Sequence, residues 1–458
     1  MVPEPKLNDE KAVKEQTKEI IERFLPYPRP FAIRLWDGTE LVGSEAAQST
    51  IVLCRPGALR RMFTPPLELS LGEAYIYGDF EIEGDLPDTV ALIDNLVKSI
   101  RFSPRELNTL LRAVRRLPME ERRTSGSGRG PVQTSGMLHS RGRDRRAIQY
   151  HYDVGNDFYA RWLDSSMQYS CAYFPTGGES LEEAQRLKMD LICRKLRLQT
   201  GERLLDIGCG WGGLACYAAQ QYGVRVHGVT LSEKQAAYAQ DQVNRLNLQE
   251  VVQIDLLDYR VLEETGFDKI VSVGMFEHVG RAHLPEYFAK VYRMLVPGGL
   301  FLNHGISRAT SREDVHSWPG MKSTVSAGLK MASDQALYQK LIGAGSFNQK
   351  YVFPDGELVP VSGANLIGEL AGFEVRDVEN LREHYVLTLR HWVHRLGEEE
   401  REISNLVGAD VFRTWELFLS VSASSFDVGR IGLHQSLFAK PENGKVHLPL
   451  TRSDIYRW

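Results

Sequence analysis

The sequence predicts an α/β chain with two domains: a Rossmann-like doubly wound sheet over residues 148–458 and a smaller α+β domain over residues 1–118, joined by an Arg/Gly/Ser-rich linker at 119–147. Three observations carry this. From Gly201 the apolar runs RLLDIG, VRVHGVTL, VVQIDL, DKIVSVG and GLFLNHGI alternate with stretches of helical periodicity, the pattern of parallel strands joined by crossover helices. Between Phe31 and Phe80 the runs FAIRLWDG, STIVLCRPG and AYIYGDFEIEGDL read as short strands broken by glycine and proline turns. After Pro118, TSGSGRGPVQTSG has too few apolar side chains to pack. With 458 residues the chain also exceeds the roughly 250–300 at which a single core stops growing.

Residues 8–25 place Ala12, Ile20, Ile21, Phe24 and Leu25 at helical spacing among charges, ahead of Pro26 and Pro28, so an amphipathic helix is expected there. Residues 87–118 read as helical up to Pro118. After the fifth strand the alternation is interrupted over 307–360 before FEVRDVENL and HQSLFAKP supply closing strands, which makes the interruption a candidate lid. Its Trp318, Met321, Leu329, Met331, Leu337, Leu341, Ile342 and Phe347 suit a core or an acyl tunnel equally well.

A formal net charge of -4 gives the whole chain no attraction to polyanions. Yet between Arg101 and Arg146 twelve arginines face only Glu106, Glu120, Glu121 and Asp144. Such a patch either solvates a tether or meets an anionic partner, lipid headgroups or nucleic acid; headgroup attraction is worth about 1 kcal/mol per basic residue near a membrane. Five cysteines (Cys54, Cys171, Cys193, Cys209, Cys216) lack disulfide or zinc spacing, so a reducing cytoplasm is expected and no metal site. The N-terminus is polar, and no run of about 18 apolar residues occurs, so contact with a membrane would be peripheral, at its inner face.

The run LLDIGCGWGG puts Asp206, Gly208, Gly210, Gly212 and Gly213 at a strand-to-helix turn where a ligand can approach the backbone. A dinucleotide site would carry an acid about 20 residues on; Thr230 stands there instead. Asp206, just ahead of the glycines, suits a cation bearing an ammonium and a sulfonium better than a diphosphate. The run looks like motif I of the class I S-adenosylmethionine-dependent methyltransferases.

QYSCAYF (168–174), LLDIGCGWGG (204–213), VSVGMFEHVG (271–280) and FLNHGIS (301–307) together resemble the cyclopropane fatty acid synthase and mycolic acid cyclopropane synthase family. LGEAYIYGDFEIEGDL, FNQKYVFPDGELV and SSFDVGRIGLHQSLFAKP extend the resemblance from about residue 30 to the end. It implies methylene transfer from S-adenosylmethionine to the cis double bond of unsaturated phospholipid acyl chains. It also implies a lipid-engaging N-terminal domain, a homodimer and bound bicarbonate as base.

An alkene is a weak neutral nucleophile, so such an enzyme must hold it against the sulfonium methyl in a dry pocket and then manage a carbocation. Ring closure needs a base for a proton of the new methyl, with anionic or aromatic groups stabilising the cation. Matched by motif, the bicarbonate shell is Cys171, Glu277, His304, the backbone of Ile306, and Tyr385. Glu277 either shares a proton with the anion or holds His304, while His304 and Tyr385 supply donors. A nucleophilic Cys171 is the other reading of that thiol. The cofactor contacts implied are Tyr169, Ser170, Gly208, Gly210, Thr230, Leu231, Gln235, Leu257 and Asp258, beside Asp206. Asp258 stands where an acid can reach the adenine amino group, or is simply a solvated turn residue.

Two readings of other classes compete. A nucleic acid methyltransferase would explain the arginines, but GMFEHVG stands where an amino-methylating enzyme would carry Asp or Asn, two prolines and an aromatic residue. A non-enzymatic lipid-binding protein with a decayed core would show damage in the glycine loop or the base-holding set, and there is none. Within the family the same carbocation can also give a methylene- or methyl-branched chain.

Overall fold

The computed structural model describes residues 9–99, 104–119, 130–132, 136–310 and 345–456. These fall into two compact units. One takes the chain up to residue 131 together with 345–352 and 400–424; the other takes the remainder.

In the smaller unit, strands β1 (Ala32–Arg34), β2 (Glu40–Leu41), β3 (Thr50–Leu53) and β4 (Phe80–Glu83) form a sheet in the order β2-β1-β3-β4, with only β1 and β3 parallel. The expected helix forms at Glu10–Phe24, opened by the Asp9 carboxylate accepting from the Lys11 amide. It buries Val13, Ile20, Ile21 and Phe24 in a core shared with Ile33, Ile51, Leu110 and Val114. The run AYIYGDF is a strand only from Phe80. Ala74, Tyr75 and Ile76 end the helix Leu67–Ile76, because a short run that is buried throughout does not reveal its period.

Two helices, Leu86–Ser99 and Pro104–Arg116, occupy the region expected to be helical. Phe347 packs edge-on over Gly72, where an added Cβ would lie 2.3 Å from its ring. Phe347 thus joins the smaller unit rather than 148–458. The other apolar residues of the candidate lid, Trp318 to Ile342, lie outside the described residues.

All seven strands expected after Gly201 form one sheet: β5 (Arg203–Ile207), β6 (Arg225–Thr230), β7 (Val252–Leu256), β8 (Phe267–Val273), β9 (Leu295–Arg308), β10 (Glu374–Asn380) and β11 (Ile431–Ala439). Their order is β10-β11-β9-β8-β5-β6-β7, parallel from β9 to β7, with β11 antiparallel to both its neighbours. The period of two sends alternate residues to two cores. Leu204, Val271, Leu302 and Leu437 meet the helices Leu181–Leu196 and Gly213–Tyr222, while Leu205, Ile270, Phe301 and Phe438 meet Leu284–Met294 and Val361–Leu370. The order reverses beside β5, the place where open α/β sheets bind ligands at the carboxyl ends of their strands.

The linker boundary at 147 also moves. A helix, Arg141–Tyr152, begins inside that segment and belongs to the larger unit. Its anchors are charged, so no apolar periodicity announced it: Arg143 grips Asp355 through Nε and Nη2 at 2.6 and 2.7 Å, and buried Asp144 accepts from Arg260 at 2.9 Å.

Candidate active site

A cleft of about 1060 Å3, open mouth included, lies at the carboxyl ends of β5, β6, β7 and β8. All ten residues expected to hold a cofactor lie on its wall: Tyr169, Ser170, Asp206, Gly208, Gly210, Thr230, Leu231, Gln235, Leu257 and Asp258. Gly208 has φ +82°, and an added Cβ would sit 2.9 Å from Met275 Cβ, so this turn cannot carry a side chain. Thr230 donates to Gln235 Oε1 at 2.9 Å, which orients the Gln235 amide. Burial pushes the Asp206 carboxyl up to about 7, against the opposing charge of Lys188.

Asp258 is neither solvated nor free for a ligand's amino group alone. It caps the turn Tyr259–Val261, and its oxygens take Arg260 Nε and Nη2 at 3.0 and 2.7 Å. Arg260 also binds Asp144, so the Arg141–Tyr152 helix is tied to this wall and adds Asp144, Ile148 and Tyr152 to it. Sequence reasoning missed these three, along with Trp211, Met275 and His278, which also line the cleft. Trp211 and Met275 lie inside the quoted motifs; Asp144 had no signal.

None of the five residues expected to handle the proton lines the cleft itself: Cys171, Glu277, His304 and Tyr385 are buried, Cys171 and Glu277 standing next in sequence to the lining residues Ser170 and His278, and Ile306 stands on β9. Glu277 is 3% exposed; its Oε1 accepts from the Ile306 amide at 2.6 Å, and its Oε2 is buried with no partner among the described residues. The Ile306 amide is thus committed to positioning Glu277 instead of standing free for an anion. Burial raises the Glu277 carboxyl to about 7, so near neutrality a large share is protonated and can donate through Oε2.

His304 is 1% exposed, opposite Gln435 in the β9–β11 register. Gln435 Nε2 lies 3.1 Å from His304 Nδ1. An amide nitrogen only donates, so Nδ1 accepts and the ring proton sits on Nε2, which is buried without a partner among the described residues. Burial, with the charges of Lys188 and Lys195, drives the imidazole well below its ordinary range and keeps it neutral. Gln435 is the further site residue that sequence reasoning missed; only its strand was read.

Tyr385, near the start of the helix Arg382–Glu398, is buried with its ring 4.6 Å from that of Phe426, and its phenol feels the charges of Glu277 and Cys171. Cys171 is fully buried, its Sγ 3.2 Å from the Ala172 carbonyl, and burial pushes its thiol far above the ordinary range. A thiolate nucleophile is therefore disfavoured. Tyr169 is the hub of an aromatic group: Trp392 at 5.2 Å, Trp162 at 5.5 Å and Tyr159 at 5.6 Å. The arrangement provides a cleft for a nucleotide-like cation, an aromatic cluster packed on its wall residue Tyr169, and two buried polar atoms, Glu277 Oε2 and His304 Nε2, without partners among the described residues.

Residues 139–436 match the mycolic acid cyclopropane synthetase family, and residues 18–101 match a domain of unknown function, DUF7884. The chain is 39% identical over 430 residues to a probable fatty acid methyltransferase of Pseudomonas putida, covering 93% of this chain and 96% of the relative. It is 39% identical over 295 residues to the cyclopropane-fatty-acyl-phospholipid synthase of Escherichia coli K12, covering 64% and 68%. Among solved structures, mycolic acid cyclopropane synthase CmaA1 complexed with SAH and CTAB superposes with a TM-score of 0.56 at 32% identity, covering 65% of this chain and 98% of that one. The fold that carries the glycine-lined cleft is thus shared with a cyclopropane synthase, and the chain belongs to the mycolic acid cyclopropane synthetase family of S-adenosylmethionine-dependent methyltransferases.

Proposed function

We propose that this enzyme converts the cis double bond of unsaturated phospholipid acyl chains into a cyclopropane ring, with bicarbonate held as the base. The observation that carries this reading is the pair of unpartnered buried atoms, Glu277 Oε2 and His304 Nε2. Leaving such groups unsatisfied costs about 1–3 kcal/mol each, so a site that keeps two of them fits a small polar anion. When bound, S-adenosylmethionine supplies an electrophilic methyl and bicarbonate supplies basicity.

The chain's own residues do the rest. Asp206, Ser170, Thr230 and Gln235 would hold the cofactor at the β5 and β6 ends. Protonated Glu277 donates from Oε2, neutral His304 donates from Nε2, and the Tyr385 hydroxyl donates to the same anion. With both groups bound, the cofactor would supply the methyl to the alkene and the bicarbonate held by Glu277, His304 and Tyr385 would take the proton whose loss closes the ring. Tyr169, on the cleft wall and packed against buried Trp162 and Trp392, would exclude water and offer π density to the cation.

Peripheral attachment to an anionic membrane fits the helix Pro104–Arg116, which buries Leu110 and Val114 and leaves Arg105, Arg112 and Arg115 exposed. Among the described residues no helix is long and apolar enough to cross a membrane. The resemblance further implies a homodimer, which sedimentation of the purified chain tests. A second reading, a methylene- or methyl-branched product, is favoured by the fatty acid methyltransferase of Pseudomonas putida, which matches far more of this chain than the Escherichia coli synthase does.

The test is gas chromatography and mass spectrometry of fatty acid methyl esters after incubation with unsaturated phospholipid vesicles and S-adenosylmethionine. A gain of one methylene unit that resists hydrogenation supports the ring. The same gain in a hydrogenatable product means a methylene branch. No gain with the cofactor still bound redirects the search to carrier-bound chains.

A further inference from the structure

Lys188 lies on the helix Leu181–Leu196 with no exposed surface and takes no part in the chemistry above. Its Nζ donates to Gln168 Oε1 and, at 2.9 Å, to Ser170 Oγ. One turn earlier, Gln185 Nε2 donates to the Ser170 and Gln168 carbonyls at 2.9 and 3.3 Å. A single helix face therefore holds the 168–171 loop twice, by its backbone and by its side chains. That loop supplies Gln168, Tyr169 and Ser170 to the cofactor cleft and Cys171 to the proton-handling group.

A buried ammonium costs several kcal/mol unless it is compensated, and hydroxyl and amide partners alone do not neutralise it. The charged and titratable groups that feel it are Asp164, Asp206, Cys171, Cys193 and His304. Burial keeps the thiols of Cys171, Cys193 and Cys209 protonated and His304 neutral. Asp164, its carboxylate held by the amides of Ser166 and Gln168 at 2.8 and 2.9 Å, is the first counter-charge to the ammonium. Asp206 is the second, and the one of the two on the cleft wall.

We propose that Lys188 is a positioning residue of the cofactor site: its ammonium fixes the Gln168 and Ser170 side chains in the wall and keeps Asp206 ionised to attract a cationic cofactor. The inference rests on the cleft being the S-adenosylmethionine site. In support, burial lowers Lys188 to about 8 and raises Asp206 to about 7, and in each case the opposite charge of the other works against the burial.

The test is calorimetric binding of S-adenosylmethionine to the full-length chain from pH 6 to 8.5, together with KM and kcat for methyl transfer. Wild type, Lys188→Met, Ser170→Ala and Asp206→Asn are compared; pH dependence that survives in Asp206→Asn belongs to the ligand or to other groups such as Glu277 and is subtracted. Wild-type affinity should rise as Asp206 ionises. In Lys188→Met that midpoint should move up by about one pH unit, raising KM for the cofactor about threefold near pH 7.5 and up to about tenfold toward pH 6, while kcat at saturation changes less than about threefold. A lysine with only a structural role would leave the midpoint in place, and an unchanged midpoint with KM within about twofold of wild type overturns the proposal. Should Lys188→Met lack a cooperative unfolding transition, Ser170→Ala decides: a KM raised several-fold with kcat retained upholds the assignment, and an unchanged KM overturns it. Wild-type protein that binds no cofactor at any pH would instead sink the cleft assignment.

Discussion

Replacing Gln435 by Leu should separate stability from turnover. The substitution nearly conserves volume and removes the amide that donates to His304 Nδ1 at 3.1 Å. The buried Nδ1 left behind costs about 1–3 kcal/mol. Gln435 Oε1, however, is itself buried without a partner among the described residues, and deleting it relieves a penalty of the same order. The two nearly cancel, so the melting temperature should move by no more than a few degrees. Turnover has no such compensation. The ring is free to move its proton to Nδ1, and losing a donor fixed at Nε2 should cost about 1.5–3 kcal/mol of transition-state stabilisation, roughly 10- to 150-fold in kcat. Gln435→Glu goes further: its carboxylate accepts from Nδ1–H and forces the wrong tautomer, so kcat should fall below that of the Leu variant. The assay is methyl transfer to unsaturated phospholipid vesicles at saturating S-adenosylmethionine, with 15N spectra of the imidazole reporting the tautomer. A Leu variant that keeps kcat within about twofold, or one whose whole defect lies in KM for the cofactor, refutes the role given to Gln435.

Because Glu277 titrates near 7 in the folded state instead of its ordinary 4.5, the folded chain holds the extra proton between those values. Stability should therefore fall as pH rises from about 5 to about 8, by about 3 kcal/mol from this group alone, and Glu277→Gln should melt higher than wild type at pH 8 but not at pH 5. On the same protonation argument, wild-type kcat should decline above about pH 7, which a pH–rate profile checks. Gly213→Ala would bring a Cβ within 2.2 Å of Gln168 Nε2 and 2.4 Å of the Ser166 carbonyl, so it should cost about 1–3 kcal/mol in thermal unfolding and raise KM for the cofactor by displacing the 166–170 loop. Asp355→Asn breaks the two-point grip on Arg143, both partners less than one-fifth exposed. Hydrogen exchange across residues 141–152 should speed up, and cofactor affinity should drop a few-fold.

Periodicity made the larger sheet legible. Each of its seven strands was an apolar run, and the glycine loop could be placed at the end of β5 because DIGCGWGG lies where strand pattern gives way to helix pattern. Part of the cleft wall was legible for the same reason, since Asp206, Gly208, Thr230, Leu231, Leu257 and Asp258 sit at or just past strand ends, whereas Tyr169 and Ser170 lie in a loop and Gln235 in a helix. What stayed hidden is held by charge. The Arg141–Tyr152 helix packs through Arg143 and Asp144, which in sequence look like more of an arginine-rich tether. Gln435 and Lys188 act through partners 131 and 18 or 20 residues away, and neither polar residue carries a pattern that marks it as buried. Tyr75 misled in the opposite sense, because a short apolar run that is buried throughout fits a helix as well as a strand.

The hidden residues share a physical logic. A reaction that passes through a carbocation excludes water, yet this site carries an aspartate, a glutamate, a histidine and a lysine, each buried. Every such group loses its hydration and must be repaid by the protein. Ile306 repays one oxygen of Glu277, Gln435 one nitrogen of His304, and Gln168 with Ser170 the ammonium of Lys188. Of the Glu277 and His304 polar atoms, Oε2 and Nε2 are left over, and Tyr385 lies close enough to feel the charge of Glu277. A core evolving only for stability would fill that space with apolar side chains, since replacing buried polar groups by packed hydrophobes is often neutral or stabilising. Their retention, each fixed by a neighbour at one end and without a partner among the described residues at the other, is what the proposed binding of a small anion requires.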